Sequence, residues 1–172
     1  MDIKRIAKIA DQLSQDQLLS NINEYVQTVD DNWNYITPKD LDEKLKEGEE
    51  FFLLDIRRPE DYQAGHIDGA INIFWLDLFK PESLKILPKD KKIVLICYVG
   101  HTASQAMTLL RMLGFDVVVL KFGMGISPSA EVPIAGWTNL DLPTVKSKSK
   151  KKTLWENGAF NTRQMINPFR AN

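Results

Sequence analysis

The sequence predicts an α/β fold in which helices flank a central, mainly parallel sheet. Residues 93–96 form a continuous apolar run with three β-branched side chains, which is typical of a strand buried on both faces of such a sheet. Residues 103–113 then carry apolar side chains at helical spacing, and a second strand is expected at 117–120. This alternation of strands and helices favours parallel pairing with right-handed crossovers.

Composition limits the classes of function. The 172 residues are enough for one domain with a substantial core, and the net charge of −1 disfavours a nucleic-acid or membrane partner. A single cysteine excludes an intrachain disulfide and a cysteine-cluster metal site. No apolar run is long enough to span a membrane. We expect a cytoplasmic protein that needs no metal or organic cofactor, or alternatively an exported one whose leader is missing from this chain.

The chain divides into three predicted segments. Residues 1–31 carry two apolar stripes at helical spacing and are expected to form an N-terminal helical extension. Residues 32–145 form the predicted α/β domain. Residues 146–172 are a lysine-rich linker, which we expect to be solvated, followed by a tail whose apolar side chains favour docking.

The elements before the cysteine follow from local signals. Thr37 and Pro38 are typical of a helix start, and Gly48 of its end. Further elements are predicted in this order: a strand at 51–55, a short strand at 70–73, a turn of helix at 74–79, and a loop with a helical turn at 81–92. After Gly125 several prolines exclude long elements.

Cys97 lies where the predicted strand 93–96 gives way to a loop, and a helix follows that loop. We expect the loop, Tyr98, Val99, Gly100, His101 and Thr102, to curl, with Gly100 at positive φ. A curled loop at a helix start directs backbone N–H groups at one point and stabilises an anion there. Cys97 is therefore expected to be partly ionised and nucleophilic.

Several side chains near this loop have two interpretations. A cysteine at a strand end can be only a small apolar side chain. His101 either adds positive charge near the sulfur or points to solvent, and Thr102 either caps the helix or donates to the sulfur.

The charged residues at and after the end of the predicted strand 51–55 also have a structural interpretation. Asp55 ends this strand at the sheet edge where α/β proteins gather their sites. Asp55 and Arg57 are expected to pair, or to fix the loops beside Cys97, and Asp61 is a second candidate partner of Arg57. Holding loops is the favoured role of these charges. His66, in a turn between two glycines, is expected to be structural.

Two motifs resemble the rhodanese (sulfurtransferase) family. The first runs from Leu53 to Ile73 and contains Asp-x-Arg, an acidic residue before an aromatic one, and Gly-His-Ile-x-Gly-Ala-x-Asn. The second, further along the chain, is the Cys-x-x-Gly-x-Thr loop that begins at Cys97. The resemblance covers about residues 36–126.

The resemblance implies a three-layer α/β fold and a catalytic persulfide on Cys97. Residues 98–102 would hold the transferred sulfur, supported by Asp55 and Arg57. The implied partners are a small sulfur donor, such as thiosulfate or a persulfide, and a thiophilic acceptor. The acceptor is either a small molecule or a protein.

The chain also departs from the family pattern. Many rhodanese loops carry arginine or lysine, whereas the only potential cation of this loop is His101. A later family motif, Gly-Gly-x-x-x-Trp, is not met after residue 120, and Trp137 follows an insertion with two prolines.

Two other functions stay open. The related cysteine phosphatases need a longer loop that ends in arginine, which this chain lacks. A sulfur-relay or regulatory module without turnover is the main alternative to an enzyme.

Overall fold

A computed structural model describes residues 15–125 and 136–147 of the chain. The first element, helix α1 (Gln15–Gln27), falls in the predicted N-terminal helical extension and belongs to a compact unit separate from the one that holds the sheet. Residues 1–14 and 148–172, which include most of the predicted linker and tail, lie outside the described residues. Within the described ranges, no helix is both long enough and apolar enough to cross a membrane.

The sheet has five strands in the order β1-β5-β4-β2-β3, and every pairing is parallel. This arrangement confirms the predicted fold class. The strands are β1 (Tyr35–Ile36), β2 (Phe52–Asp55), β3 (Ile71–Asn72), β4 (Ile93–Ile96) and β5 (Val117–Leu120). Strand β4 lies between β2 and β5, and all four of its residues are buried. The apolar run therefore occupies the centre of the sheet, where both faces are covered.

Alternate residues of the strands build the core on the two faces of the sheet. One face carries Leu53, Val94, Ile96, Val118 and Leu120, with Leu41 of helix α2 (Pro38–Lys46) packed in the same cluster. Helix α3 (Pro59–Ala64) adds Tyr62 to this cluster. The residues in between point to the opposite face. Helix α5 (His101–Met112) contacts β4 and β5.

Local signals placed several helix ends correctly. The Thr37 hydroxyl accepts a hydrogen bond from the Asp40 N–H at 3.1 Å and caps α2, as predicted. Gly48, just beyond this helix, has a φ of +85°. Gly114, which directly follows the predicted helical segment 103–113, has a φ of +77° after the end of α5.

One predicted helix is wrong. Residues 74–79, expected to form a turn of helix, form successive hydrogen-bonded turns instead, with the Asp77 N–H on the Phe74 carbonyl and the Leu78 N–H on the Trp75 carbonyl. The expected helical turn after Pro81 is present as α4 (Pro81–Leu84). Leu78 is fully buried, so the apolar character of the segment reflects burial rather than a helix.

Trp137 lies in the core although it comes late in the sequence. Its side chain is 1% exposed, and its indole N–H donates to the Pro143 carbonyl at 2.8 Å. Its backbone N–H donates to the Gly123 carbonyl at 3.0 Å. A short 3₁₀ helix, Thr138–Leu140, follows. Residues 126–135, which hold the predicted insertion, lie outside the described residues.

Candidate active site

Cys97 lies at the carboxyl end of the central strand β4 and is 2% exposed. The neighbouring strand β2 is in register, with Asp55 opposite Ile96. The end of β2 is fixed to this position because the Ile56 N–H donates to the Ile96 carbonyl at 2.8 Å. The sulfur is thus held at the middle of the sheet edge where the strands end, as the sequence predicted.

Gly100 turns the chain from β4 into α5. It has a φ of +94° and is the N-cap of the helix. Its N–H donates to the Cys97 Sγ at 3.1 Å. The predicted positive φ of Gly100 is confirmed, and the contact brings a backbone dipole onto the sulfur.

The loop is shorter than the sequence indicated. Helix α5 begins at His101, so His101 and Thr102 lie in its first turn rather than in the loop. The Ser104 N–H donates to the Gly100 carbonyl at 2.9 Å and starts the helical hydrogen bonding. Thr102 does not cap the helix, since the cap is Gly100. Among the described residues, the sulfur receives one backbone N–H rather than the ring of several that we expected.

The arrangement favours negative charge on the sulfur for two physical reasons. A hydrogen bond donated to a thiolate stabilises it, and the start of a helix carries a partial positive charge. The helix is 12 residues long, so its first turn has the usual unpaired N–H groups. Burial alone is equally consistent with a small apolar side chain, so the N–H contact is the feature that favours a nucleophile.

Tyr98, one of the loop residues predicted to hold the transferred sulfur, is hydrogen-bonded within the protein through its hydroxyl. Its hydroxyl donates to the Asp61 Oδ2 and accepts a 3.3 Å hydrogen bond from the Arg58 N–H. Burial, with a further contribution from the Asp61 hydrogen bond, raises the pKa of Tyr98. The phenol is therefore neutral and serves as a tether from the Cys97 loop to α3.

The chain after β5 supports the loop from the other side. The Met124 N–H donates to the Cys97 carbonyl and the Gly125 N–H to the Tyr98 carbonyl, both at 2.9 Å. Gly123 has a φ of +53°, and a Cβ there would lie 2.3 Å from the Cys97 carbonyl oxygen. Only glycine fits this close backbone approach.

Asp55 and Arg57 pair as expected, and both side chains are fully buried. The Arg57 Nη2 lies 2.7 Å from the Asp55 Oδ2, and the Arg57 Nε lies 3.1 Å from each carboxylate oxygen. The same Nη2 donates to the Gly65 carbonyl at 2.7 Å. Burial raises the pKa of the Asp55 carboxyl, and the Arg57 guanidinium opposes this shift. These contacts favour the loop-holding role of the pair.

Asp61 does not pair with Arg57, because it accepts from Tyr98. The Arg57 guanidinium instead lies 5.9 Å from the centre of the Tyr98 ring. The His66 Nδ1–H donates to the Tyr62 carbonyl at 2.7 Å, and the two rings are stacked at 3.8 Å. These are the contacts of a structural histidine.

Sequence reasoning missed two groups of residues around the loop. Ser104 donates its hydroxyl to the Gly100 carbonyl at 2.7 Å, and Tyr35 is hydrogen-bonded to Ser104 at 2.7 Å. Lys121 and Phe122 line a cleft together with Gly100. No sequence signal marks these residues, because they come from three separate parts of the chain. In the part of the chain that the structure describes, no three His, Cys, Asp or Glu side chains are grouped as metal ligands.

Comparisons with known proteins agree with this geometry. The family model "Rhodanese-like domain" matches residues 37–125, just over half of the chain. The "Putative sulfurtransferase YtwF" of Bacillus subtilis is 36% identical over 84 residues, which are 49% of this chain and 80% of that protein.

A longer relative and a solved structure match the same domain. The "Probable adenylyltransferase/sulfurtransferase MoeZ" of Mycobacterium tuberculosis is 36% identical over 90 residues, so the match spans 52% of this chain and only 23% of that protein. A crystal structure of a rhodanese-related protein from Thermoplasma volcanium has a TM-score of 0.54 and 29% identity, and covers 66% of this chain and 98% of that chain. The family match, the fold and the cysteine loop agree, and the chain belongs to the rhodanese-like domain family.

Proposed function

We propose that the protein is a sulfurtransferase that carries sulfane sulfur on Cys97. The single observation that supports this most strongly is the Gly100 N–H on the Cys97 Sγ at 3.1 Å, at the start of α5. A sulfur anion at that position is stabilised whether it belongs to the free cysteine or to a persulfide. Two relatives are named as sulfurtransferases, which supports the same chemistry.

The proposed reaction has two displacement steps. The Cys97 thiolate attacks the outer sulfur of thiosulfate, the sulfur–sulfur bond of the donor breaks, and sulfite leaves with the bonding electrons. A thiophilic nucleophile then attacks the outer sulfur of the Cys97 persulfide, and Cys97 leaves as the thiolate. No net oxidation or reduction of the enzyme occurs over the cycle.

The residues around Cys97 have distinct proposed roles. Gly100 stabilises charge on the sulfur, while Val99, His101 and Thr102 border the position of the transferred atom. Asp55 and Arg57 position the loop, and Tyr98, whose hydroxyl tethers the loop to α3, also borders the transferred atom. In this proposal residues 32–145 form the catalytic domain, flanked by the helical extension 1–31 and the segment 146–172. The proposed location is cytoplasmic.

Turnover with thiosulfate and cyanide tests the proposal. The expected result is thiocyanate formation by the wild type and none by Cys97→Ser, because serine oxygen does not form the persulfide. A wild-type protein that forms no thiocyanate with thiosulfate, and none with a polysulfide or an organic persulfide as donor, would contradict the proposal.

A relay between proteins is the second candidate function. The observation that favours it is that the matched domain spans only 23% of a relative whose name combines an adenylyltransferase with a sulfurtransferase. In that case Cys97 passes sulfur to a protein acceptor. Transfer of the outer sulfur from the persulfidated protein to a cysteine thiolate of a protein acceptor, with little thiocyanate formation, would favour relay over turnover on small molecules.

A further inference from the structure

A series of three hydrogen bonds runs from the edge of the sheet to the sulfur of Cys97. Tyr35 of the edge strand β1 is hydrogen-bonded to Ser104 through the two hydroxyl groups, at 2.7 Å. The Ser104 hydroxyl donates to the Gly100 carbonyl at 2.7 Å, and the Gly100 N–H donates to the Cys97 Sγ at 3.1 Å. The series thus joins a strand that lies two places from β4 to the atom proposed to react.

The direction of each hydrogen bond in this series is fixed. A hydroxyl has one hydrogen, and that of Ser104 is on the Gly100 carbonyl. In the contact between Ser104 and Tyr35 the donor is therefore Tyr35. Each bond polarises the next one and strengthens it, so loss of the Tyr35 hydroxyl should weaken the contact of Ser104 with Gly100.

Gly100 needs contacts that hold it, because glycine has more backbone freedom than any other residue. It is the N-cap of α5, and among the described residues no side chain caps this helix. Its carbonyl accepts from Ser104 twice, from the backbone N–H at 2.9 Å and from the hydroxyl. Because helix ends fray, the hydroxyl gives the first turn a second attachment at the residue that directs an N–H at the sulfur.

Helix stability alone does not account for the Ser104 hydroxyl. A serine hydroxyl that bonds the carbonyl four residues before it slightly destabilises a helix, and alanine has the higher helix propensity. Residue 104 is half-buried on α5, where alanine would support the helix at least as well. What the hydroxyl adds is the connection between Tyr35 and Gly100.

The sheet holds Tyr35 at a defined position. Tyr35 is opposite Val119 of β5, and Val119 is opposite Leu95 of β4. Residues in register on neighbouring strands share a face of the sheet, and the contact with Ser104 shows that this is the face that α5 covers. The series of hydrogen bonds is therefore anchored in the sheet rather than in a loop.

We propose that Ser104 and Tyr35 are positioning residues for the sulfur of Cys97. They act through Gly100, whose peptide they hold so that its N–H points at the sulfur and favours the thiolate. The inference rests on the proposed sulfurtransferase function for its place in turnover. It concerns the ionisation of the sulfur, however, and its test needs no sulfur donor.

The test is a pH titration of the Cys97 thiolate in the full-length protein, measured as its ultraviolet absorbance. The spectrum of the same background with Cys97→Ser is subtracted each time, which removes the signal of the tyrosines. The midpoint in Ser104→Ala should lie about 0.5 pH unit above that of the wild type, because a poorly aligned N–H stabilises the thiolate less.

Tyr35→Phe tests the outer part of the series. It should raise the midpoint by less than Ser104→Ala does, because the Ser104 hydroxyl still reaches Gly100. When Tyr35→Phe is added to Ser104→Ala, it should cause no further shift, because Tyr35 acts through Ser104. Tyr35→Phe that raises the midpoint equally in both backgrounds would contradict the series.

The initial rate of persulfide formation from thiosulfate measures the consequence for turnover. Well below the midpoint, a rise of about 0.5 pH unit leaves about threefold less thiolate, so the rate should fall about threefold in Ser104→Ala. A wild type that gains no sulfur from any donor, in a protein whose variants titrate as expected, would refute the proposed function and leave the positioning roles standing.

The matched control is Thr108→Val, which removes a hydroxyl of the same helix with little change of shape. The Thr108 hydroxyl donates to the Ser104 carbonyl at 3.2 Å, so it makes the same kind of contact one turn further along α5. Its midpoint should equal that of the wild type. An unchanged midpoint in Ser104→Ala would overturn the proposal, as would an equal rise in Thr108→Val, which indicates only a looser helix.

Discussion

At the scale of single residues, two glycines fix the backbone around Cys97. Gly100 allows the turn that aims an N–H at the sulfur, and Gly123 allows a second segment to approach the Cys97 carbonyl closely. Both have positive φ, but they differ in the reason that excludes other residues. At Gly123 the strain of a side chain is combined with a steric clash, because a Cβ would lie 2.3 Å from a backbone oxygen.

We expect Gly123→Ala to destabilise the protein by about 2–4 kcal/mol, because left-handed strain and the displaced backbone both contribute. It should also slow persulfide formation, since the Cys97 carbonyl must move. The control is Gly48→Ala, at a φ of +85° with no atom within 4 Å of the added Cβ. Strain alone there costs about 1 kcal/mol. Urea unfolding measures both, and equal losses would contradict the role given to Gly123.

Tyr98 gives a spectroscopic test of the loop tether. Its pKa is raised by burial and by the hydrogen bond to Asp61, so its phenol should ionise above the ordinary range of tyrosine. The ionisation is measured as the ultraviolet difference between the wild type and Tyr98→Phe. In Asp61→Asn, which removes the negative charge, the pKa of Tyr98 should fall. The tether would be disproved if Asp61→Asn left this titration unchanged.

At the scale of elements, the Asp55–Arg57 pair joins the end of β2 to the turn after α3. Both side chains are fully buried, and Arg57 also holds the Gly65 carbonyl. The Asn72 amide donates to the carbonyls of Asp55 and Arg57, each at 2.9 Å, and so attaches β3 to the same point. The loops on one side of Cys97 are therefore joined by this buried ion pair together with the Asn72 amide.

Breaking this pair should be costly. Asp55→Asn leaves the Arg57 charge buried and is expected to destabilise the protein by about 3–5 kcal/mol. The double variant Asp55→Asn/Arg57→Gln should lose less than the sum of the two single losses, because it leaves no unpaired charge. In the exposed pair of Lys91 and Glu50, Glu50→Gln should have no measurable effect. Additive losses at Asp55 and Arg57 would contradict this interpretation.

The start of α5 shows why element boundaries were harder to predict than elements. The apolar run of β4 and the helical spacing after it were sufficient to place both elements. The sequence suggested a side-chain cap at Thr102, whereas the actual cap is the left-handed backbone of Gly100. Because this cap is formed by backbone geometry, no capping side chain marks it in the sequence. The sequence therefore placed the start of the helix too late, and the helix begins before Thr102.

At the scale of the whole molecule, the sheet unit has the extent of a complete domain. The match to the solved relative covers 98% of that protein but 66% of this chain. We predict that residues 29–151 fold alone and form the persulfide as readily as the full chain. Cooperative urea unfolding of this fragment and its mass after donor treatment test the prediction. A fragment that unfolds without cooperativity would show that the other unit is needed for stability.

The sequence predicted the individual strands, Cys97 at the end of one of them and the Asp55–Arg57 pair, because each depends on residues close together in the chain. It predicted parallel pairing from the alternation of strands and helices. It did not predict the contact of Tyr98 with Asp61 or the cleft at Lys121 and Phe122. Those contacts depend on which loops meet at the sheet edge, and therefore on the strand order. Local patterns do not determine that order.

The most direct test of the central claim is the intact mass of the protein after treatment with thiosulfate, a polysulfide or an organic persulfide. The account predicts a gain of one sulfur atom by the wild type, reversed by a thiol, and no gain by Cys97→Ser. A wild-type protein with reduced, accessible Cys97 that gains no sulfur from any of these donors would contradict it.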